Sequence, residues 1–300
     1  MLKDILLYCK SYRKDFLRLK RLLESIQRYN VDQIPFYIST PEDQHEELIN
    51  MIGSSGYQWV SDQSIIAANP NVPPGIEKNR SGGQTQQVIK SEFWRLGLCE
   101  NYVCLDSDCL FIKDFTRSDF LAVDGTPYTV IYQNKEYFQL AVNRGHPKAP
   151  RSLQIEGDRV KALFERVGPT YYCHCPPFIW SAKVWASLEL NYLAPRGLTF
   201  WDICTPEQPE THLYLEALLN FRAIPLYPIE QLMRVYYYDW HYYLLRRMGE
   251  TTAKLKANYL GVIFQSSWDL GMDYGRRQKT FLSQSLKRLK RFGRYLQSFI

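Results

Sequence analysis

An apolar run that ends in two acids, Asn101-Tyr102-Val103-Cys104-Leu105-Asp106-Ser107-Asp108, constrains the fold of this chain more than any other stretch. The run is typical of a buried strand. Residues i and i+2 of an extended backbone point to the same side, so Asp106 and Asp108 can converge on one cation. Mg²⁺ and Mn²⁺ prefer oxygen ligands and keep positions open for water and phosphate. A solvated turn after an edge strand is the simpler alternative.

The flanking sequence indicates alternating helices and strands. Residues 82–98 are typical of a helix that begins at a glycine pair, and residues 109–115 form a second apolar run. Upstream, the apolar spacing predicts strands at 4–9, 35–39 and 57–60 and helices at 16–29 and 42–51. This alternation predicts a doubly wound, mostly parallel sheet. Ligands of such sheets bind beyond the carboxyl ends of the strands. The polar residues at those ends are Lys10, Ser11, Tyr12, Thr40, Asp62, Asp106 and Asp108.

Three motifs in order resemble those of nucleotide-sugar glycosyltransferases with the GT-A fold. They are Ser11-Tyr12-Arg13-Lys14-Asp15 with Arg18, Leu22 and Ser25 after it, then Gln86-Gln87-Val88-Ile89-Lys90, then Asp106-Ser107-Asp108. The pattern is similar to a family of bacterial glycosyltransferase-like proteins that read S-Y-x-x-D, L-x-x-S, Q-Q-x-x-K and D-x-D, and it covers residues 1–115. The resemblance implies a GT-A-like α/β fold, with a Rossmann-like, mostly parallel central sheet flanked by helices.

The resemblance also implies an activity, the transfer of a sugar from a nucleotide-diphosphate donor to an acceptor hydroxyl. It implies Mn²⁺ or Mg²⁺ bound by Asp108, with Asp106 meeting the metal or the ribose. Gln265 stands where such enzymes often place a histidine ligand, so the third metal ligand is open. The residues expected to bind the donor are Ser11, Tyr12, Asp15, Asp62, Gln87, Lys90 and Asp106.

An inverting transferase needs a base for the acceptor proton, whereas a retaining one does not, and the sequence leaves the two open. Glu210 is the first candidate because it begins a predicted helix, 210–220, after a proline. An acid there also simply favours the positive end of a helix. The alternative bases are Asp202, His212 and His174.

The second half carries weaker patterns. They predict strands at 128–132, 176–180, 224–227 and 260–266, helices at 155–167 and 181–190, and a long loop at 67–83. One domain is expected at 1–270, with a nucleotide-sugar half at 1–115 and an acceptor half at 116–270. Residues 271–300 are expected to form a basic helical extension.

The C-terminal extension has eight Lys or Arg residues and no acid over 276–300, with apolar residues at helical spacing. Such a helix is suited to an anionic membrane surface, or it packs on the domain with a solvated basic face. Without these eight charges the net charge of +6 becomes −2, so nucleic-acid binding is not expected. The basic extension favours a glycan or lipid-linked acceptor.

From the composition we expect a cytoplasmic protein. The basic extension adds the expectation of peripheral attachment to the inner face of the plasma membrane. The chain has 300 residues, 45% of them hydrophobic, with neither a long apolar span nor a signal-peptide pattern. Its seven cysteines are odd in number and suit free thiols. Cys173-His174-Cys175 lacks a second ligand pair, so a zinc site is not expected.

Three other functions are compatible with parts of the sequence. A phosphatase of the haloacid dehalogenase class also uses D-x-D after a strand, but it needs a downstream acidic pair. A nucleotidyltransferase also uses paired Asp residues, but it opens on a basic, glycine-rich segment. A non-enzymatic, membrane-docked scaffold on a degenerate GT-A domain is the third.

Overall fold

The computed structural model describes residues 3–145, 147–172 and 175–265, together with Ser285, Leu286, Leu289, Phe292, Gly293 and Leu296. The first half alternates strands with helices. Its elements are β1 (Lys3–Lys10), α1 (Phe16–Tyr29), β2 (Phe36–Thr40), α2 (His45–Ile52), β3 (Gln58–Ser61), α3 (Asp62–Ala67), α4 (Gly82–Glu92), β4 (Cys99–Leu105) and β5 (Cys109–Phe111).

The second half has shorter strands and more helices. Its elements are β6 (Thr129–Val130), α5 (Lys135–Asn143), α6 (Lys148–Leu163), β7 (Phe178–Ser181), α7 (Ala182–Leu188), α8 (Phe200–Ile203), α9 (Glu210–Phe221), β8 (Pro228–Ile229), β9 (Met233–Tyr236), α10 (Asp239–Arg247), α11 (Thr252–Asn258) and β10 (Gly261–Phe264).

A five-stranded sheet in the order β3-β2-β1-β4-β7 lies at the centre. β1 pairs in parallel with β2 and β4, and β2 pairs in parallel with β3. β7 alone in this sheet runs antiparallel, with Trp180 opposite Tyr102. Helices cover both faces, so the predicted α/β fold with a mostly parallel central sheet is confirmed.

Strand β1 shows why the sheet is buried on both sides. Its odd residues, Ile5 and Leu7, pack in one apolar cluster with the leucines of α1. Its even residues, Leu6 and Tyr8, pack in a second cluster with α4, α7 and α9. Alternate side chains of a strand point to opposite faces, so a strand with two covered faces becomes an uninterrupted apolar run.

Two smaller sheets complete the described part of the chain, one in the order β5-β10-β9 and the other formed by β6 and β8. β10 pairs antiparallel with β5, which places Ile263 opposite Cys109. It also pairs in parallel with β9, which places Ile263 opposite Val235. Because β5 directly follows Asp108, this pairing carries the end of β10 to the acidic pair.

Some predicted elements differ from the structure in position or extent. The helix expected at 155–167 begins at Lys148 and ends at Leu163, and the strand expected at 224–227 is replaced by β8 at Pro228–Ile229. The strand expected at 260–266 is found as β10, Gly261–Phe264, and lies in the sheet with β5 and β9. The expected loop at 67–83 contains a short helical turn at Ile76–Asn79, and α3 precedes it. Six elements were not predicted: α3, α5, α8, β9, α10 and α11.

The predicted C-terminal helix lies mostly outside the described residues. Those of its positions that are described are helical, and four apolar side chains there are exposed: Leu286, Leu289, Phe292 and Leu296. None of the helices in the described part of the chain is both long and apolar enough to span a bilayer. The cysteines that the structure describes are buried and form no disulfide with one another.

Candidate active site

The carboxyl ends of four neighbouring parallel strands form one rim of the central sheet. Lys10 and Ser11 lie at the end of β1, Asp62 follows β3, and Asp106 and Asp108 follow β4. Because parallel strands end at the same edge, the fold gathers these polar side chains, as the sequence predicts.

The two acids lie on a tight turn between β4 and β5. The backbone N–H of Cys109 donates to the carbonyl of Asp106 at 3.0 Å, which holds the turn closed. Ser107 points inward, with its Oγ 3.0 Å from the Oγ of Ser11 on the neighbouring strand. Both acids remain partly exposed. The turn therefore buries its serine and leaves its carboxylates at the rim.

Lys90 joins the D-x-D motif to the second half of the chain. It lies on α4 with its side chain 4% exposed, and its Nζ contacts Asp106 Oδ1 directly and lies 3.7 Å from Glu210 Oε1. Burial alone would lower the pKa of Lys90, but the carboxylates of Asp106 and Glu210 raise it well above its usual value. The buried ammonium is therefore charged, and it neutralises part of the acidic cluster.

Glu210 is buried at the first position of α9. Burial raises the pKa of its carboxyl above the usual value, and the charge of Lys90 opposes that rise. A carboxyl whose pKa is raised holds a proton more firmly, which brings it closer to the range of a base that works near neutrality. Of the predicted bases, Glu210 is the one that the described contacts connect to the D-x-D motif.

Lys10 and Asp62 form a second buried pair on the same rim, with 2.8 Å between Nζ and Oδ2. Lys10 also donates to the carbonyl of Ser11 at 2.6 Å. Burial raises the pKa of Asp62, against the lowering influence of Lys10. The second oxygen, Asp62 Oδ1, is buried and has no hydrogen-bond partner in the described part of the chain. It is an acceptor that a bound ligand can satisfy.

The other predicted donor-binding residues differ in their surroundings. Tyr12 is exposed, whereas Asp15 is tied to Arg18 one turn along the chain. Gln87 lies on α4 with a buried Oε1 that has no partner among the described residues. Gln84, on the first turn of that helix, donates instead to the carbonyl of Trp201 at 3.1 Å.

The alternative bases have other roles or lie elsewhere. Asp202 accepts from the backbone N–H and Oγ1 of Thr199 at 2.7 and 2.8 Å, so it caps α8. His212 is buried within α9, at 2% exposure. His174 lies outside the described residues. The sequence features that suggested these bases, a nearby proline or a helix start, did not indicate which of the side chains lies at the rim.

The predicted metal ligands fit a hard divalent cation in part. Asp106 and Asp108 supply two carboxylates at the rim, which is the protein share of many Mg²⁺ sites that also use water and phosphate oxygens. Gln265 donates through Nε2 to the thiol of Cys175 at 3.3 Å. The described residues contain no group of three or more His, Cys, Asp or Glu side chains able to hold a metal. Of the predicted ligands, Asp106 and Asp108 are the carboxylates that the described part of the chain offers to such a cation.

Sequence reasoning missed a second site-like region, around Tyr237 and His241. The signal was visible as the aromatic run Tyr236-Tyr237-Tyr238-Asp239-Trp240-His241-Tyr242-Tyr243, which is unusual for a surface segment. Its strand and helix, β9 and α10, were not predicted, so the run had no place in the expected sheet.

Comparison with known proteins gives a family and a general likeness. A model of a family of unknown function, DUF6492, matches residues 4–259. No curated protein matches the chain. Two solved structures that match are the galactosyltransferase LgtC in complex with donor and acceptor sugar analogues and the active-site mutant Q189E of LgtC. They are 10% and 11% identical, each with a TM-score of 0.49 over 87% of both chains.

Proposed function

Because the chain belongs to the family of unknown function DUF6492, we propose its activity from the rim itself: transfer of a sugar from a nucleotide-diphosphate donor to a hydroxyl of a glycan or lipid-linked acceptor. One observation carries the proposal. Asp106 and Asp108 end the strand beside β1, and the buried Lys90 connects Asp106 to Glu210. Anionic and cationic groups thus alternate where a diphosphate and its leaving charge need stabilisation.

The nucleotide end of the donor is expected beside β1 and β3. Asp62 Oδ1 is a buried acceptor without a partner among the described residues, and a base N–H or a ribose hydroxyl would satisfy it. A buried polar atom left unpaired costs about 1–3 kcal/mol, so a ligand that pairs it gains that difference. Tyr12, which follows the end of β1, is exposed and offers an aromatic face.

The diphosphate is expected above the D-x-D turn. A divalent ion held there by Asp108 and Asp106 would stabilise the charge that grows on the leaving group. Lys90 keeps Asp106 in place and offsets one negative charge of the cluster. Asp108 is partly exposed at the rim, and the resemblance of the D-x-D motif to GT-A enzymes makes its last acid the principal carboxylate for the metal.

Glu210 is the residue we assign to the acceptor proton if the enzyme inverts configuration. Its carboxylate lies 3.7 Å from Lys90, so the ammonium holds its orientation and stabilises its charged form. The raised pKa of Glu210 suits proton uptake near neutral pH.

The test of the donor site is a melt of the full chain with a set of nucleotide sugars and Mn²⁺. A ligand at 100 times its dissociation constant contributes about 2.7 kcal/mol. We expect one donor to raise the melting temperature of the wild-type chain and to be hydrolysed slowly without acceptor. Asp108→Asn should lose both effects.

The matched control is Asp114→Asn, an exposed aspartate shortly after β5. It makes the same chemical change outside the rim and should leave the response intact. Equal responses in Asp108→Asn and the wild type would refute the proposal. Phosphate release from simple monoesters, without any response to nucleotide sugars, would favour the phosphatase instead.

We also propose a location, the cytoplasmic face of an anionic membrane, through residues 276–300. Support comes from the exposed side chains of Leu286, Leu289, Phe292 and Leu296 and from the eight basic residues of this segment. Each basic residue near such a surface contributes about 1 kcal/mol.

Sedimentation with vesicles tests this location. The chain should pellet with phosphatidylserine-containing vesicles and much less with pure phosphatidylcholine. Leu289→Asp should reduce pelleting, whereas Leu226→Asp, at an exposed leucine in the second half, should not. Failure of the wild-type chain to pellet with either vesicle would contradict the proposal.

A further inference from the structure

A cavity of about 630 Å³ lies in the second half of the chain, between the end of β9 and the first turns of α5 and α10. This volume falls within the range of about 300–1,000 Å³ that is common for small-molecule sites. No residue assigned above to the donor, the metal or the acceptor proton lines it. The proposed reaction therefore assigns no role to this cavity.

Aromatic rings and uncharged amides make up most of its lining. The tyrosines are Tyr132, Tyr137, Tyr171, Tyr237 and Tyr259. The amides are Gln133, Asn134, Gln231 and Asn258. Tyrosine combines an apolar face with a hydroxyl, and amides both donate and accept. This lining suits a ligand with apolar faces and many hydroxyl groups along its edge.

Two polar groups of the lining are buried without hydrogen-bond partners in the described part of the chain. Neither Nδ1 nor Nε2 of His241 is paired, nor is Nε2 of Gln231. The imidazole is 2% exposed, and it packs near the rings of Tyr137 and Tyr237, at 5.5 and 5.9 Å between centroids. Unpaired buried polar groups in native proteins call for an explanation such as a bound water or ligand.

The electrostatics of the cavity favour a neutral ligand. Burial, and then the nearby Arg234, lowers the pKa of His241 to about 3, so the ring is neutral. A neutral imidazole has one donor and one acceptor nitrogen, which matches a hydroxyl group. Arg234 is itself paired with two carboxylates, Glu136 at 3.0 Å and Glu250 at 2.8 Å, so it leaves no unpaired positive charge for an anionic ligand. The remaining charged side chains of the lining, Lys135 and Glu230, are exposed and lie toward solvent.

The cavity adjoins the D-x-D rim through two strands. Val235, in its lining, pairs with Ile263 of β10, which pairs with Cys109 directly after Asp108. Two strand spacings span about 10 Å. Tyr237 in the cavity wall interacts with the thiol of Cys175, whose pKa is raised to about 12 by burial and also by the charges of the two acids. One wall therefore separates the cavity from the acidic pair.

We propose that this cavity binds an uncharged saccharide unit of the acceptor, with the edge hydroxyls on His241 and Gln231 and the apolar faces against the tyrosines. The acceptor is thus a glycan, and recognition extends beyond the sugar that receives the transfer. The word acceptor rests on the proposed function, whereas binding of a neutral saccharide does not depend on it.

The experiment measures saccharide binding to the full chain directly. Saturation-transfer NMR and calorimetry use four neutral disaccharides (lactose, maltose, cellobiose and chitobiose), with glucose 6-phosphate and uridine as charged and planar probes. The variants are His241→Phe, which keeps an aromatic ring without nitrogens, and Gln231→Met, which keeps the length without the amide. His45→Phe, at a histidine stacked on Trp59 outside the cavity, is the matched control.

We expect at least one disaccharide to bind and both cavity variants to weaken it by about tenfold, a reasonable effect for a lost hydrogen bond with a buried partner. His45→Phe should bind as the wild type does. The proposal is overturned if no disaccharide binds the wild-type chain, if His241→Phe and Gln231→Met both bind normally, or if only uridine or glucose 6-phosphate binds. Should His241→Phe fail to fold, Gln231→Met decides.

This outcome is separable from that of the donor test. Loss of nucleotide-sugar binding in Asp108→Asn concerns the rim alone, and both cavity variants should retain the response to the donor. A chain that binds disaccharides but no nucleotide sugar would refute the proposed transferase and leave the cavity assignment standing.

Discussion

The rim and the cavity, one wall apart, use opposite electrostatics. At the rim, buried charges are paired with each other, as Lys90 is with Asp106 and Glu210. In the cavity, the central buried side chain is the neutral His241, and the nearby Arg234 is already paired with Glu136 and Glu250. Charged groups suit a ligand that carries charge or develops it, and neutral groups suit one that does not. This difference supports the proposed placement of the diphosphate at the rim and of the saccharide in the cavity.

A similar contrast exists within the rim itself. Lys90 contacts two carboxylates, whereas Lys10 pairs with Asp62 alone, and Asp62 keeps an oxygen without a partner in the described chain. Lys90 thus holds the D-x-D turn to α9 through both of its carboxylate partners. The pair of Lys10 and Asp62 retains one carboxylate oxygen as an acceptor for a ligand.

Replacing Lys90 breaks the charge balance of the rim and should have the largest effect. Lys90→Met leaves the buried Glu210 and the partly exposed Asp106 without their cation, and removal of one partner of a buried ion pair costs about 3–5 kcal/mol. Urea denaturation should report this loss. Lys20→Met, on the exposed side of α1, should change stability very little. Adding Asp106→Asn and Glu210→Gln to Lys90→Met should recover much of the loss, and no recovery would argue against direct charge pairing.

Replacing Glu210 sharpens the comparison by removing a proton acceptor and keeping the shape. Glu210→Gln should lower the transfer rate by about 10²–10⁴, the usual contribution of a positioned acid or base. Because burial raises the pKa of Glu210 above its usual 4.5, the wild-type rate should rise with pH through a value above 4.5. The variant should lack that rise. A variant with normal rate and an unchanged pH profile would show that Glu210 only holds Lys90.

The neutral state of His241 predicts a pH effect on stability that belongs to the cavity. Its folded pKa is about 3 against 6.5 for an unperturbed histidine, so the unfolded chain takes up a proton first as pH falls. Stability from this group is therefore complete above pH 6.5 and is lost from there down toward pH 3. The slope is at most about 1.4 kcal/mol per pH unit.

Denaturation curves of the wild type and His241→Phe, compared from pH 7 downward, measure this difference. The variant should lose less stability on acidification than the wild type. Parallel pH dependence in the two chains would mean that His241 is protonated in the folded state, and the cavity would then not be neutral.

The first half of the chain was predictable because its signals are local. Strands β1, β2 and β4 are buried on both faces and are therefore apolar runs that can be read without knowledge of their partners. The spacing of Asp106 and Asp108 and their position after such a run also placed them at the rim in advance. The stripe of α1, with Leu19, Leu22 and Ile26 buried, was equally visible.

The second half was less predictable because its strands are short and depend on distant partners. β6 has two residues and pairs with β8, and β5 pairs with β10, which lies more than 140 residues later in the chain. A strand of two to four residues carries too little alternation to identify itself. The strand expected at 224–227 failed for this reason, and the aromatic run of β9 and α10 was not recognised.

The sequence by itself determined the class of fold, a mostly parallel sheet between helices, and the presence of two acids at one of its strand ends. Only the tertiary structure decided that Lys90 lies beside Glu210, that Asp62 forms an ion pair with Lys10, and that His241 packs among tyrosines. These contacts join residues far apart in the chain. Local periodicity reports which face of an element is buried, but the partner across that face is set by how the elements pack.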